Sequence, residues 1–485
     1  MIPLESRLRV TEKMKEPENR RGMIELADGQ YQPDTDREGQ QRSGSQRVNR
    51  LPVTRQSVAR EPSRVNKVKE YNVLERVYEP GRLYEAWQQV RHNAGAAGID
   101  RMTVEMFERR QDELLGLIHG KIKAGTYRFK PARRTLIPKE GTSKMRSLGI
   151  PVVMDRIVSQ SINLVFYEIF DPMFTESNFG FRKGHSQHQA IKFVQGIVQG
   201  GYEWCASIDL ASFFDEIPHD LIFKLIRRRI ADERLLTLIA RALKAGVLID
   251  GKIIKSGKGC PQGSPLSPML SNIVLNELDH ELDKRGHRYC RWADDFLVLL
   301  KSERAANRVM QGISGYLECE LNLPVNRQKS RVALVKDVTF LGFQILRGTI
   351  RVSNKARAKF KDKVRRLTRR NNPLSMYQVI QDLNGYLRGW VSYFGIQGFR
   401  MIFRDYDGWI RSRLRSMQLK KWKKPRKFQR MMIKGGCTPD QAKRVWVKMN
   451  KWQSVSRREV RFVMNLQWFR KKGLIFLDDF TLSNP

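Results

Sequence analysis

Residues 289–300 read YCRWADDFLVLL: two short apolar runs with a pair of acids, Asp294 and Asp295, at the bend between them. Strand-like runs around a tight polar bend predict a β-hairpin that carries two carboxylates at its tip. An earlier segment, residues 204–222, reads WCASIDLASFFDEIPHDLI and closes an apolar strand on a third acid, Asp209. Each segment alone also has an ordinary reading, because Asp-Asp forms turns and Asp209 could cap the helix that follows. Together they suggest more. Carboxylates brought close resist joint ionisation unless a cation neutralises them. Hard divalent ions such as Mg²⁺ take oxygen ligands and keep positions for substrate phosphate and water. In two-metal phosphoryl transfer one ion activates the attacking hydroxyl and the other steadies the leaving phosphate. Asp209 with Asp294, and Asp295 beside them, suit such a pair of Mg²⁺ ions.

Around these segments, residues 127–343 mix helices with short apolar strands. The strand candidates are WCASIDL, YCRW, FLVLL and VTFLGFQI; the helix candidates are RIVSQSINLVFYEIF and SPMLSNIVLNELDHELDKR. Long connections separate strands that must meet, which predicts an α+β sheet covered on one face by helices. Before it, VLERVYEPGRLYEAWQQV and TVEMFERRQDELLGLIHGKIKAG have the three- and four-residue apolar spacing of helices. Residues 1–66, with few aromatics and 13 basic against 10 acidic residues, read as a flexible N-terminal extension. There is no internal repeat.

The charge is lopsided. Of 485 residues, 90 are Lys or Arg and 50 Asp or Glu, a net charge of +40. Residues 355–472 alone hold 33 basic and 6 acidic residues. Such an excess attracts phosphate polyanions through counterion release, while a hydrophobic fraction of 41% argues for a folded body rather than a basic tail. In QVIQDLNGYLRGWVSYFG, residues Ile380, Leu383, Leu387, Trp390, Val391 and Phe394 form one apolar stripe. In the next helix Ile402, Tyr406, Ile410, Leu414 and Met417 form another, with Arg404, Arg411 and Arg415 on a different face. The stretch LKKWKKPRKFQR then adds Lys420, Lys421, Lys423, Lys424 and Arg426, interleaved with Trp422 and Phe428 as candidates for stacking on bases. These basic residues are the expected nucleic-acid contacts. Composition does not choose between RNA and DNA.

The five cysteines are scattered with no CxxC pair, which argues against zinc ribbons and disulfide scaffolds and reads as reduced thiols. No apolar run reaches the length of a membrane span, and the N-terminus lacks the apolar region of a signal peptide. A cytoplasmic protein without membrane contact is the expectation.

Several further segments stand in order along the chain: GIDRMTVE, LIPKEGTSKMRSLGIPVVMDRIV, FGFRKGHSQHQAI, SIDLASFFDEIPH, GCPQGSPLSPMLSN, RWADDF, LNLPVNRQKS and FLGFQI, followed by a basic helical region. In these motifs, over roughly residues 70–475, the sequence resembles the reverse transcriptases encoded by group II introns, also called intron maturases. The resemblance implies a right-hand polymerase: fingers and palm over residues 67–345, a helical thumb and maturase region over 346–475, and a tail at 476–485. By that likeness Asp209 and Asp294 bind the metals and Asp295 supports them. Phe214 matches the bulky side chain that excludes a ribose 2′-hydroxyl. Lys139 and Arg146 match finger residues that hold the incoming triphosphate. Gln262 matches the loop lining nucleotide and template.

The implied function is RNA-directed DNA polymerase activity, with binding of intron RNA that promotes its splicing and its mobility. The implied partners are structured intron RNA, an RNA template, a DNA primer or target and deoxynucleoside triphosphates, within a cytoplasmic ribonucleoprotein; a homodimer stays open. Two alternatives stay open as well: a free-standing reverse transcriptase of host defence or repair, and an RNA-binding splicing factor without polymerase activity. The sequence departs from the family pattern at Trp292, where a Tyr is usual. It also shows no Cys-pair and His arrangement of a C-terminal nuclease, since all seven histidines lie at or before position 287.

Overall fold

FLVLL is apolar at every position because its strand is buried on both faces. In the computed structural model, which describes residues 69–138, 145–261, 263–396, 401–447 and 455–480, Phe296, Val298 and Leu300 point into one hydrophobic core and Leu297 and Leu299 into a second. The same alternation splits Ala206 and Ile208 from Cys205, and Tyr289 from Cys290. The expectation of one covered face is therefore corrected to two. A sheet with both faces covered needs continuous rather than alternating apolar strands, and each Leu or Phe so buried stabilises the fold by roughly 1.5–3 kcal/mol.

The strands among the described residues are β1 (Ala132–Pro138), β2 (Met145–Ile150), β3 (Trp204–Ile208), β4 (Val247–Ile249), β5 (Lys252–Ile254), β6 (Arg288–Trp292), β7 (Asp295–Leu300), β8 (Arg331–Leu334), β9 (Phe343–Ile345) and β10 (Ile350–Val352). The central sheet has the order β6-β7-β3-β8 and is antiparallel throughout. A second sheet, β2-β1-β4-β5, stands apart from it, and β9 and β10 form a hairpin. The α+β class holds. The expected strand VTFLGFQI contracts to β9, while β1, β2, β4, β5, β8 and β10 add to the expected set.

One face of the central sheet packs on helices Val153–Phe170 and Ser267–Lys284, both foreseen from apolar spacing. The other face packs on helix Gln187–Gln199 and on the C-terminal helices Asn354–Leu367, Met376–Phe394 and Met401–Lys421. The imidazole Nε2 of His188 lies 2.7 Å from the Tyr393 carbonyl oxygen and ties helix Met376–Phe394 to helix Gln187–Gln199. The stripe residues Ile380, Leu383, Leu387, Trp390 and Val391 are buried as expected. The helical stretch from Val73 breaks at Glu79, where Pro80 opens the next helix, Pro80–Asn93.

The expected boundaries meet the structure unevenly. Residues 1–66 lie outside the described residues. The β9–β10 hairpin straddles the expected break at 345, and the second core runs through it from Phe179 to Leu477. The expected tail begins with Phe476 and Leu477, both buried in that core, and continues as the short helix Leu477–Phe480. All five cysteines are free thiols, four of them buried.

Candidate active site

Strands β6 and β7 pair as far as Trp292↔Asp295, which leaves Ala293 and Asp294 as a two-residue turn. Ala293 has φ +57°, a left-handed conformation that costs a side-chain-bearing residue energy. The turn is held in it from below. Arg291 is fully buried, forms an ion pair with the equally buried Asp279, and donates from Nη1 to Asn272 Oδ1 (2.9 Å) and to the Ala293 carbonyl (3.1 Å). Asn272 in turn donates to the carbonyl of Gly180 (2.8 Å). Gly180 lies so close that a Cβ there would overlap the Ala293 backbone. The acidic turn is thus built on a buried network of hydrogen bonds and one ion pair.

Asp209 follows β3 directly. The antiparallel register Ile208↔Phe296 brings it to the end of β7 that Asp295 begins. Segment 321–330 fixes it there: Asp209 N–H donates to Ser330 Oγ (3.0 Å), Asn326 N–H donates to the Asp209 carbonyl (2.8 Å), and Lys329 Nζ sits 3.1 Å from Asp209 Oδ2. Asp295 is exposed at the start of β7, and partial loss of water to the protein packed around it, then the charges of Asp294 and Asp209, push its carboxyl up to about 7. The charges of Asp294 and Asp209 raise the proton affinity of Asp295, and all three are hard oxygen donors of the kind a divalent cation takes, while among the described residues no three acids already stand in coordinating geometry. A cavity of about 520 Å³ opens between Asp295 and the C-terminal helices, with Lys355, Lys359, Phe360 and Trp390 in its wall.

A second cavity, of about 640 Å³, is lined by Phe214, Phe181, Gly149, Pro151 and Gly263. Phe214 is half-buried, packs edge-on against Phe213 with ring centroids 5.4 Å apart, and shows part of its ring to this space. Gly263 has φ +115°, and a Cβ there would overlap the Gly149 carbonyl, so the PQG loop closes onto β2 only as glycine. Lys139 and Gln262 lie outside the described residues, as does the side chain of Arg146.

The basic residues divide. Lys420, Lys423, Lys424 and Arg426 are exposed. Arg404 is exposed and paired with Asp478 at 2.9 Å. Lys421 is half-buried and donates to the Leu374 carbonyl. Arg411 is half-buried against the Phe476 ring, 5.5 Å from its centroid. Arg415 departs from expectation: it is 7% exposed, donates from Nε to the Met464 carbonyl (3.0 Å) and lies over the Phe469 ring. Burial, then Arg411 and Arg461, lower its pKa to about 10. Trp422 and Phe428, expected as base-stacking rings, are 3% and 0% exposed and belong to the core. Residues 464–477 fold back over this side of helix Met401–Lys421, so what looks from the sequence like an outer face is an inner one.

Sequence reasoning also left roles unassigned. Lys329 and Ser330 sit inside the motif LNLPVNRQKS, whose order in the chain gave no hint of contact with Asp209. Arg291, next to the acidic turn, fell within the strand candidate YCRW without a role of its own; its neighbour Trp292 is half-buried against the second core.

Residues 137–345 match the family described as reverse transcriptase (RNA-dependent DNA polymerase), and residues 357–435 match the group II intron, maturase-specific domain. With three acids gathered at the ends of paired strands, the first match defines the class: this is a reverse transcriptase domain. Protein YkfC of Escherichia coli (strain K12) is 32% identical over 318 residues, 57% of this chain and 83% of YkfC. The group II intron-encoded protein LtrA of Lactococcus lactis subsp. cremoris is 37% identical over 202 residues, 41% of this chain but only 33% of LtrA. A chain of a solved partial Cas6-RT-Cas1–Cas2 complex aligns with 51% of this chain and 43% of its own length, at 23% identity and a TM-score of 0.31. The chain belongs to the group II intron reverse transcriptase and maturase family. Among the described residues no helix is long and apolar enough to cross a membrane.

Proposed function

We propose that this protein extends a DNA primer on an RNA template, at the acidic turn, and that it also binds group II intron RNA to promote splicing and mobility. The convergence of Asp209 with Asp294 and Asp295 supports the first half: their charges raise the Asp295 carboxyl, a repulsion that a bound divalent cation would relieve. Asp209 and Asp294, supported by Asp295, would hold magnesium, which when bound would supply activation of the primer 3′-hydroxyl and charge neutralisation at the leaving pyrophosphate. By family likeness Phe214, a half-buried ring lining the 640 Å³ cavity, is assigned to the sugar of the deoxynucleotide, and Lys139, Arg146 and Gln262 to the same nucleotide.

The maturase half rests on the exposed cations Lys420, Lys423, Lys424 and Arg426, at the end of helix Met401–Lys421 and just beyond it. They are suited to the backbone of structured RNA in a cytoplasmic ribonucleoprotein. The test is deoxynucleotide incorporation on an annealed RNA template and DNA primer with Mg²⁺, beside an Asp294→Ala control. Extension by the wild type alone supports the reading. Equal extension by the variant defeats it, and tight RNA binding without extension by either favours a splicing-only protein.

A further inference from the structure

Phe181 combines an exposed aromatic ring with a left-handed backbone. The ring is 47% exposed and belongs to neither hydrophobic core. Its backbone has φ +59°, a conformation that a bulky residue enters only when its surroundings force it. Both flanks supply the force. On one side the Gly180 carbonyl accepts from Asn272, and Gly180 abuts the Ala293 turn. On the other, Arg182 donates from Nε to Asp171 Oδ1 (2.8 Å) and from Nη1 to the carbonyls of Thr175 (2.8 Å) and Asn178 (3.0 Å). The network that shapes the acidic turn therefore also presents the Phe181 ring.

The ring faces the 640 Å³ cavity that Phe214 and Gly263 share. Among the described residues the one cation in that wall, Arg156, spends its donors on the carbonyls of Pro151 (2.9 Å), Ala94 (3.4 Å) and Ala96. Apolar side chains and backbone make up most of the rest, which suits a flat, uncharged ring.

We propose that Phe181 is the stacking platform for the template base that pairs with the incoming nucleotide. The assignment rests on the primer-extension reading, which puts that nucleotide's sugar against Phe214, so that its pairing partner occupies the same cavity.

The test uses the full chain with an RNA template carrying 2-aminopurine at the templating position and an annealed DNA primer. Stacking on the ring quenches the fluorescence, with no need for catalysis. Phe181→Ala should restore the emission and lower kcat/KM for the templated nucleotide by roughly ten- to a hundredfold, the range for one lost base–aromatic stack. Phe181→Trp should recover both. Phe181→Gly relieves the strained backbone and should still show unquenched emission and the same loss. Wild-type efficiency in the Gly variant, or quenching in the Ala variant equal to wild type, overturns the proposal. Quenching by a wild type that does not extend would defeat the polymerase reading and leave the stacking in place; extension with an unquenched base would do the reverse.

Discussion

The ammonium of Lys329 lies 3.1 Å from Oδ2 of Asp209, across a sequence separation of 120 residues. Both partners keep much of their surface in solvent, 67% and 41%, so the pair contributes less than about 1 kcal/mol to folding. Its importance is local. Under the proposed role of Asp209 in holding magnesium, this ammonium would compete with the metal for the same oxygen. Lys329→Met is therefore expected to leave the melting temperature nearly unchanged and to tighten Mn²⁺ binding severalfold, read by calorimetry on the protein without substrates. Unchanged or weakened binding would show that the ammonium does not compete.

Arg291 offers the opposite case, a buried charge whose loss the structure cannot absorb. Its guanidinium and the Asp279 carboxylate are both 0% exposed. Arg291→Met leaves Asp279 charged and unpaired in the interior and should cost about 3–5 kcal/mol in urea denaturation. Arg291→Met with Asp279→Leu should recover most of that stability, because an apolar pair replaces the ion pair. Primer extension should stay low in the double variant, since the Ala293 carbonyl still lacks its donor. Full activity in the stable double variant would mean that the turn needs no such support.

The reach of the sequence follows from the range of the interactions. The hairpin at Asp294 and Asp295, the strand ending at Asp209 and the long helices around them were legible because each is decided by neighbours a few residues apart. Strand β8, RVAL, is short and pairs with β3 over a long separation, so its pattern alone marks nothing. Lys329 and Arg291 gained their roles only when distant segments met. Arg415 misled because helical spacing says which residues share a face but not what covers that face.

Asp155 carries a pH signature that can be read without any substrate. It is 3% exposed, accepts from the Tyr127 hydroxyl (2.7 Å) and from the Lys130 N–H (2.8 Å), and burial outweighs these bonds to raise its carboxyl from 3.8 to about 6. A raised value means that the folded state holds the proton more tightly than the unfolded one. The associated stability is full below pH about 4 and is lost as pH rises through about 6. A shift of this size is worth about 3 kcal/mol. The wild type should therefore lose about that much relative to Asp155→Asn between pH 4 and pH 7, compared by urea denaturation. A stability difference that stays flat across that window would refute the assignment.

The split among the basic residues gives the last prediction. An exposed lysine that touches RNA releases counterions, so its removal should flatten the dependence of log K on log salt by roughly 0.7–0.9 per contact. Lys420→Ala, Lys423→Ala, Lys424→Ala and Arg426→Ala should each do so where they meet the backbone, with the melting temperature unchanged. Arg415 is packed over Phe469 and bonded to the Met464 carbonyl, too deep to meet a phosphate. Arg415→Ala should instead lower stability by about 2–4 kcal/mol, the range for a lost large side chain in a packed interior, and leave the salt slope of the folded protein as it was. Filter binding across a salt series, beside thermal melts of the same proteins, separates the two behaviours: a flattened slope for Arg415→Ala at wild-type stability would return that residue to the RNA surface.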